Sequence, residues 1–262
     1  MTTQPAAKPQ YDAFAADYAL MEELPGEVVA ANHLYRTVAD YPHGLKVLDL
    51  ACGTGTYAQM LLEHGIAEHV VGVDISSEMV RIGQERETKQ RPGSERITFH
   101  VADCAADLDH LGLEPDSFDL VMGNWLINYA ADREQLVRMW RNIVKYLKPG
   151  GRYVGLKTTV DVQDHVKRDP WCGITQEVVG DVADGVKIHL IAHCKPQIEF
   201  CGYLLKGNLY EDVPLEVGMG EVVHQTPTEK DLPRTTGLDE AKWKAYLNDP
   251  YSVVCTAKKR VE

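Results

Sequence analysis

Long hydrophobic runs are missing from this 262-residue chain. None approaches the roughly 18 apolar residues of a membrane-spanning helix. Positive charge is scarce as well: 27 lysines and arginines face 39 aspartates and glutamates, for a net charge of −12 at pH 7. Phosphate backbones and anionic membranes need a basic face, so neither nucleic acid nor a membrane is expected as the main partner. A small phosphorylated ligand, which needs only a local site, stays open. The six cysteines (Cys52, Cys104, Cys172, Cys194, Cys201 and Cys255) form no Cys-x-x-Cys pair and no zinc-type Cys/His spacing. They are expected as free buried thiols, and no metal is expected. Repeats are missing too, as is any linker rich in Gly, Ser or Pro. One domain over residues 1–262 is therefore expected. Residues 1–10 lack the apolar core of a secretion signal, which points to a cytoplasmic protein, monomeric or homodimeric.

The region from residue 46 onward is strongly periodic. Residues 46–50 (KVLDL) suit a buried parallel strand, and 51–56 (ACGTGT) a tight Gly-rich turn. A helical stretch follows at 57–64, with Ala58, Leu61 and Leu62 on one face. Residues 69–75 (HVVGVDI) read as a second strand, and 76–90 as a helix with Ser76 as N-cap. Third and fourth strands are predicted at 97–101 and 118–122. The clearest helix is 132–147, where Leu136, Met139, Trp140, Ile143, Val144 and Leu147 recur at a period of 3.6. Lys148-Pro149-Gly150-Gly151 ends it, and a fifth strand starts at 152. This alternation means βαβ units, hence a parallel sheet covered on both faces.

The pattern changes after residue 157. Residues 158–207 are polar and glycine-broken, with antiparallel strands predicted at 187–193 and 197–205. They read as an insertion on the same domain. A short helix near 209–217, a strand at 221–225, a helix at 238–247 and a last strand at 251–257 complete the reading.

The strongest chemical signal is residues 47–57, VLDLACGTGTY, followed by Asp74 at the end of the next strand. Gly53 and Gly55 let the backbone turn sharply and approach a ligand that a Cβ would obstruct. Asp74 sits where a carboxylate can accept from both hydroxyls of a ribose. Strand, glycine turn, helix, strand and terminal aspartate in this order point to an adenosine-containing cofactor. A dinucleotide site wants a third glycine, where this chain has Ala58, and a helix end facing a pyrophosphate. Asp49, inside the first strand, suits a ligand with an ammonium group better.

DLACGTGTY, VGVDISSEM, VADCAADLD, FDLVMGNWLINYA and LKPGGRYV together resemble the successive motifs of the class I S-adenosylmethionine-dependent methyltransferases. The resemblance covers about residues 45–157. Tyr11-Asp12-x-x-Ala15-x-x-Tyr18 is similar to the N-terminal segment that closes over the cofactor in small-molecule members. The resemblance implies these roles. Asp49 and the backbone of Ala51, Cys52, Gly53 and Gly55 would hold the amino-acid end of S-adenosylmethionine. Asp74 would bind its ribose, with Ile75 and Met79 against the adenine. Asp103 would accept from the adenine amino group, beside the backbone N–H of Cys104. Asn124 and Trp125 would line the methionine moiety, and Tyr18 would cover the cofactor. Tyr11, Asn128 and Tyr129 would border the acceptor. Ala51 stands where many members carry glycine.

Blander readings stand beside these. Trp125 and Tyr129 could be core, Tyr18 could pack the first helix, and Met79 and Met139 are ordinary core residues by pattern. Arg133, Arg138, Arg141 and Lys145 read as the solvated side of a helix. No catalytic residue is evident: His189 and His193 share a strand face, and His165 follows the fifth strand, so these are weak candidates for a base.

The expected fold is α/β: a Rossmann-like, seven-stranded, mostly parallel sheet with the last strand antiparallel and helices on both faces. An N-terminal helical lid (1–40), a cofactor-binding core (41–157), a small antiparallel cap (158–207) and a C-terminal completion of the sheet (208–262) are expected. The expected function is methyl transfer from S-adenosylmethionine to nitrogen or oxygen of a small molecule by in-line displacement, leaving S-adenosylhomocysteine. The rivals are a non-catalytic S-adenosylmethionine-binding regulator or subunit and a nicotinamide-dependent oxidoreductase.

Overall fold

A computed structural model describes residues 9–159, 172–233 and 238–261. Its main sheet has seven strands in the order β3-β2-β1-β4-β5-β10-β9. These are β1 (Leu45–Leu50), β2 (Ala67–Asp74), β3 (Ile97–Val101), β4 (Phe118–Met122), β5 (Leu147–Thr158), β9 (Met219–Gln225) and β10 (Ser252–Lys259). Strands β1 to β5 run parallel, and β10 lies antiparallel between β5 and β9. The sheet is therefore the expected one, with six strands in one direction and the final strand reversed.

Alternation along the strands gives each face its own core. Leu48, Leu50, Val71, Val73, Val121 and Tyr153 pack under helix α5 (Arg133–Tyr146), against Trp140 and Ile143. Val47, Val70, Leu120 and Val154 pack on the other side with α2 (Pro25–Val38) and α3 (Thr56–Glu63), through Leu34 and Leu61. Both faces are buried, so β1 and β2 read as near-continuous apolar runs. Helix α4 (Ser77–Gln90) starts as expected: the Ser76 hydroxyl accepts from Met79 N–H at 3.2 Å. Asp132 caps α5 in the same way, accepting from Gln135 N–H at 2.7 Å.

Two expectations need correcting. Leu147 belongs to β5, where it pairs with Phe118, and not to the helix. Residues 148–151 lie inside β5 as an irregular insertion, because the register shifts between Phe118 and Leu120. The cap holds three strands, with β6 (Ile174–Val182) added to β7 (Gly185–Ala192) and β8 (Ile198–Leu205) in the order β6-β7-β8. The pairing of β6 slips between Val178 and Gly180, and most of its second half is exposed, so no clean alternation marks it.

The N-terminal segment makes two short 3-10 turns and then helix α1 (Tyr18–Glu22) ahead of α2. A third core, with Met21, Val29, Ile174, Phe200, Trp243 and Tyr251, joins this segment to the cap and to α7 (Glu240–Asn248). Helix α6 (Leu209–Glu216) precedes β9. The strand order reverses between β1 and β4. In such sheets the crevice beyond the carboxyl ends of those strands is the usual ligand site.

Candidate active site

A cavity of about 280 Å³ lies in that crevice, roofed by the N-terminal segment. The turn after β1 forms its floor. Gly53 has a φ of +54°, and a Cβ there would point into open space. Gly55 differs: it precedes α3 at φ +80°, and a Cβ would strike the Phe99 ring at 2.9 Å. Gly53 thus leaves room in the cavity, whereas Gly55 serves packing and does not line it. Ala51 and Trp125 also hold left-handed backbone, at φ 62° and 61°, and both line the cavity. Such strain in non-glycine residues collects at ligand sites.

Asp74 fixes this floor. One carboxylate oxygen accepts from Gly53 N–H at 2.8 Å, and the other from Ser76 N–H at 2.8 Å. Burial pushes its carboxyl upward, and these backbone donors pull it back. Each oxygen still has a lone pair to offer. Asp49 is only 1% exposed and does not line the cavity; its Oδ1 is buried with no hydrogen-bond partner. Burial, and then the neighbouring Asp74, raise its carboxyl well above the usual range.

The remaining sequence candidates fall around the same space. Ile75, Met79, Asp103, Cys104 and Asn124 line it, Ile75 half-exposed and Met79 buried. Asp103 accepts from Ala105 N–H at 2.8 Å. Asn124 accepts from Leu156 N–H at 3.1 Å and leaves its buried amide nitrogen unpartnered. Tyr11, Tyr18 and Tyr129 form the roof, with Tyr11 5.9 Å from Tyr18 and 5.8 Å from Tyr129 between ring centres. The Tyr11 and Tyr129 hydroxyls share a hydrogen bond.

A second, smaller chamber adjoins the first and shares Tyr11, Tyr18, Trp125 and Tyr129 with it. Asn128 lines only this second chamber, accepting from Thr158 N–H at 3.1 Å. Glu22 and Tyr57 in the first chamber, and Glu27, Gln176, Phe200 and Tyr251 in the second, were absent from the sequence reading. Tyr57 follows the glycine turn directly and had a readable signal there; the others come from scattered elements.

The histidines lie elsewhere. His189 Nε2 is 3.2 Å from Glu199 Oε2, and His193 bonds the Thr175 hydroxyl at 2.7 Å. Neither lines either chamber: Ile188 and Leu190 of β7 face the second one, so His189 between them points the other way, and His193 lies beyond the end of β7. His165 lies outside the described residues.

Residues 47–151 match the model of a methyltransferase domain. Over that stretch the chain is similar to known methyltransferase domains. A demethylmenaquinone methyltransferase of Clavibacter sepedonicus is 38% identical over 112 residues, covering 42% of this chain and 40% of that protein. An arsenite methyltransferase of Halobacterium salinarum is 29% identical over 130 residues, covering 48% and 31%. The matched stretch spans less than half the length of these curated relatives. The fold extends further: the CcbJ methyltransferase from Streptomyces caelestis superposes with a TM-score of 0.64 at 17% identity, covering 97% of this chain and 99% of that one.

The residues present fit S-adenosylmethionine, the cofactor that the resemblance implies. The orphaned Asp49 oxygen beneath the turn calls for a donor, and the amino group of a methionine moiety is one. The open cradle at Gly53 leaves space for that moiety to approach the backbone. The positive φ of Ala51 gives a physical reason for the glycine many methyltransferases carry there.

Proposed function

We propose that this chain is a methyltransferase that uses S-adenosylmethionine to methylate nitrogen or oxygen on a small molecule. The observation that carries the reading is the pair of adjoining chambers. One is floored by Gly53 and Asp74; the other is walled mainly by aromatic and aliphatic side chains; four aromatic residues border both. Two ligands meeting at a shared wall is the arrangement that group transfer requires.

S-adenosylmethionine supplies a methyl group already activated on a sulfonium, for in-line displacement. The chain's share is to bind, orient and keep water out. Asp49 and the turn take the amino-acid end, Asp74 the ribose and Asp103 the adenine amino group, with Cys104 beside it. Ile75 and Met79 flank the adenine, and Asn124 and Trp125 the methionine moiety. Tyr18 and Tyr11 close the roof. In this reading, residues 1–40 are a lid and 158–207 a cap around the acceptor. Gln10 supports that role, because its amide bonds Cys201 of β8 both ways, at 2.8 and 2.9 Å.

The test uses methyl-labelled S-adenosylmethionine and a metabolite extract. Labelled small molecules identified by mass spectrometry support the reading. Binding of S-adenosylhomocysteine with no transfer to any compound would favour a non-catalytic binder.

A further inference from the structure

Among the described residues that line it, the second chamber has one carboxylic acid, Glu27, and no lysine, arginine or histidine. Glu27 lies in the first turn of α2, where an acid favours the helix end. A residue serving only the helix end could sit in water. Glu27 is instead 7% exposed and faces the chamber. One of its oxygens accepts from the Tyr251 hydroxyl.

The walls around it are aromatic faces. The Trp125 and Tyr251 rings are nearly parallel, 6° apart in plane and 5.9 Å between centres. Tyr11 and Phe200 lie 5.6 Å apart on another side. Aromatic faces attract cations through their quadrupoles, most strongly where water is excluded. The other polar side chains are largely committed to one another. Asn128 accepts from Thr158 N–H, and Gln176 bonds the Thr158 hydroxyl at 3.3 Å.

We propose that the chamber binds an amine in its cationic form, pairing it with Glu27 inside the aromatic box, and that the amine nitrogen is the methyl acceptor: the Glu27 carboxylate takes one ammonium proton, and the freed lone pair forms the new N–C bond as the methyl–sulfur bond breaks and S-adenosylhomocysteine leaves. The assignment rests on the methyltransferase reading and narrows it. A carboxylate or phosphate acceptor would meet Glu27 with no cation in the described walls to offset it. An alcohol would leave the buried carboxylate without a counter-charge, which is costly in a water-poor site. An ammonium group answers both the carboxylate and the rings. Burial also holds the Glu27 carboxyl up, to about 7, and a cationic ligand would draw it back toward the ionised form.

The experiment uses the full chain saturated with S-adenosylhomocysteine and three small probes of similar shape: isobutylamine, isobutanol and isobutyrate. Thermal shift and calorimetry read their binding. The expected result is an isobutylamine affinity at least fivefold above that of either other probe. Glu27→Gln should bring the three to within about twofold while S-adenosylhomocysteine still binds. An equal response to all three in the unaltered chain, including none, overturns the amine assignment alone, as does an undiminished amine preference in Glu27→Gln. Failure of S-adenosylhomocysteine to bind overturns the methyltransferase reading and this assignment with it.

Discussion

The Asp12 carboxylate accepts a 2.5 Å hydrogen bond from the Ser76 hydroxyl, joining the N-terminal segment to the helix that begins after β2. Ser76 N–H is meanwhile held by Asp74. The roof of the cavity is thus tied to the residue that would bind the ribose. Asp12→Ala should weaken S-adenosylhomocysteine binding by about tenfold, the equivalent of about 1.4 kcal/mol lost from a charge-assisted bond. Calorimetry reads the affinity, and limited proteolysis between residues 9 and 24 should speed up. An unchanged affinity would separate the roof from the cofactor.

Asp74→Ala removes the partner of two backbone donors at once. Loss of at least tenfold in S-adenosylhomocysteine affinity is expected, with a lower Tm of the free protein because Gly53 and Ser76 N–H are left unpaired. A Tm drop with full affinity would assign Asp74 to structure only.

Gly53 and Gly55 should respond differently to alanine. Both pay for left-handed backbone, on the order of 1–2 kcal/mol. Only at Gly55 does the new methyl meet the Phe99 ring, and only at Gly53 does it enter the cavity. Gly55→Ala should therefore lower Tm more, and Gly53→Ala should lower S-adenosylhomocysteine affinity more. The reverse order would mean that the turn is not the ligand floor.

Glu27 should leave a signature in the dependence of stability on pH. Burial raises its carboxyl from 4.5 to about 7, so the folded chain holds this proton more tightly than the unfolded chain. Its contribution is full below pH 4.5 and is lost as pH rises through about 7. Buried His33, lowered from 6.5 to about 4, opposes this: its contribution is full above pH 6.5 and is lost as pH falls through about 4. His33 is common to both proteins, so it cancels when Glu27→Gln is compared with the unaltered chain. The Tm of the variant relative to the unaltered chain should rise by several degrees between pH 5 and 8. A flat difference would mean that Glu27 stays ionised throughout.

Asp231 provides a control remote from both chambers. Its buried carboxylate accepts from Arg36 at 2.6 and 2.9 Å and from Thr228 N–H at 2.7 Å, tying α2 to the turn after β9. Asp231→Ala should cost about 2 kcal/mol in urea denaturation, less than a fully buried pair because Arg36 keeps some contact with water. S-adenosylhomocysteine affinity should be unaltered.

What the sequence made legible was local. Gly53, Asp74 and Ser76 follow one another through a strand, a turn and a cap, so their spacing carries their geometry. The second chamber is another matter. Glu27 comes from α2, Gln176 from β6, Phe200 from β8 and Tyr251 from the loop before β10. Only the third core brings them together, and no periodicity encodes such a meeting. β6 escaped because its register slips at Gly180 and its outer half faces water. Spacing puts His189 and His193 on one face of a strand, but β7 ends at Ala192, and which face of it looks into a cavity depends on how the small sheet is mounted.

The position of β10 bears on how the chain is made. β9 touches the main sheet only through β10, which is synthesised after it. While the ribosome is still adding residues before 252, the β5 edge with Val154 and Leu156 has no neighbour on that side, and β9 has nowhere to dock. The first five strands can assemble early, but α6 and β9 must wait. The nascent chain therefore carries an unpaired strand edge until β10 is made, a stage at which helper proteins that shield strand edges would have most to do.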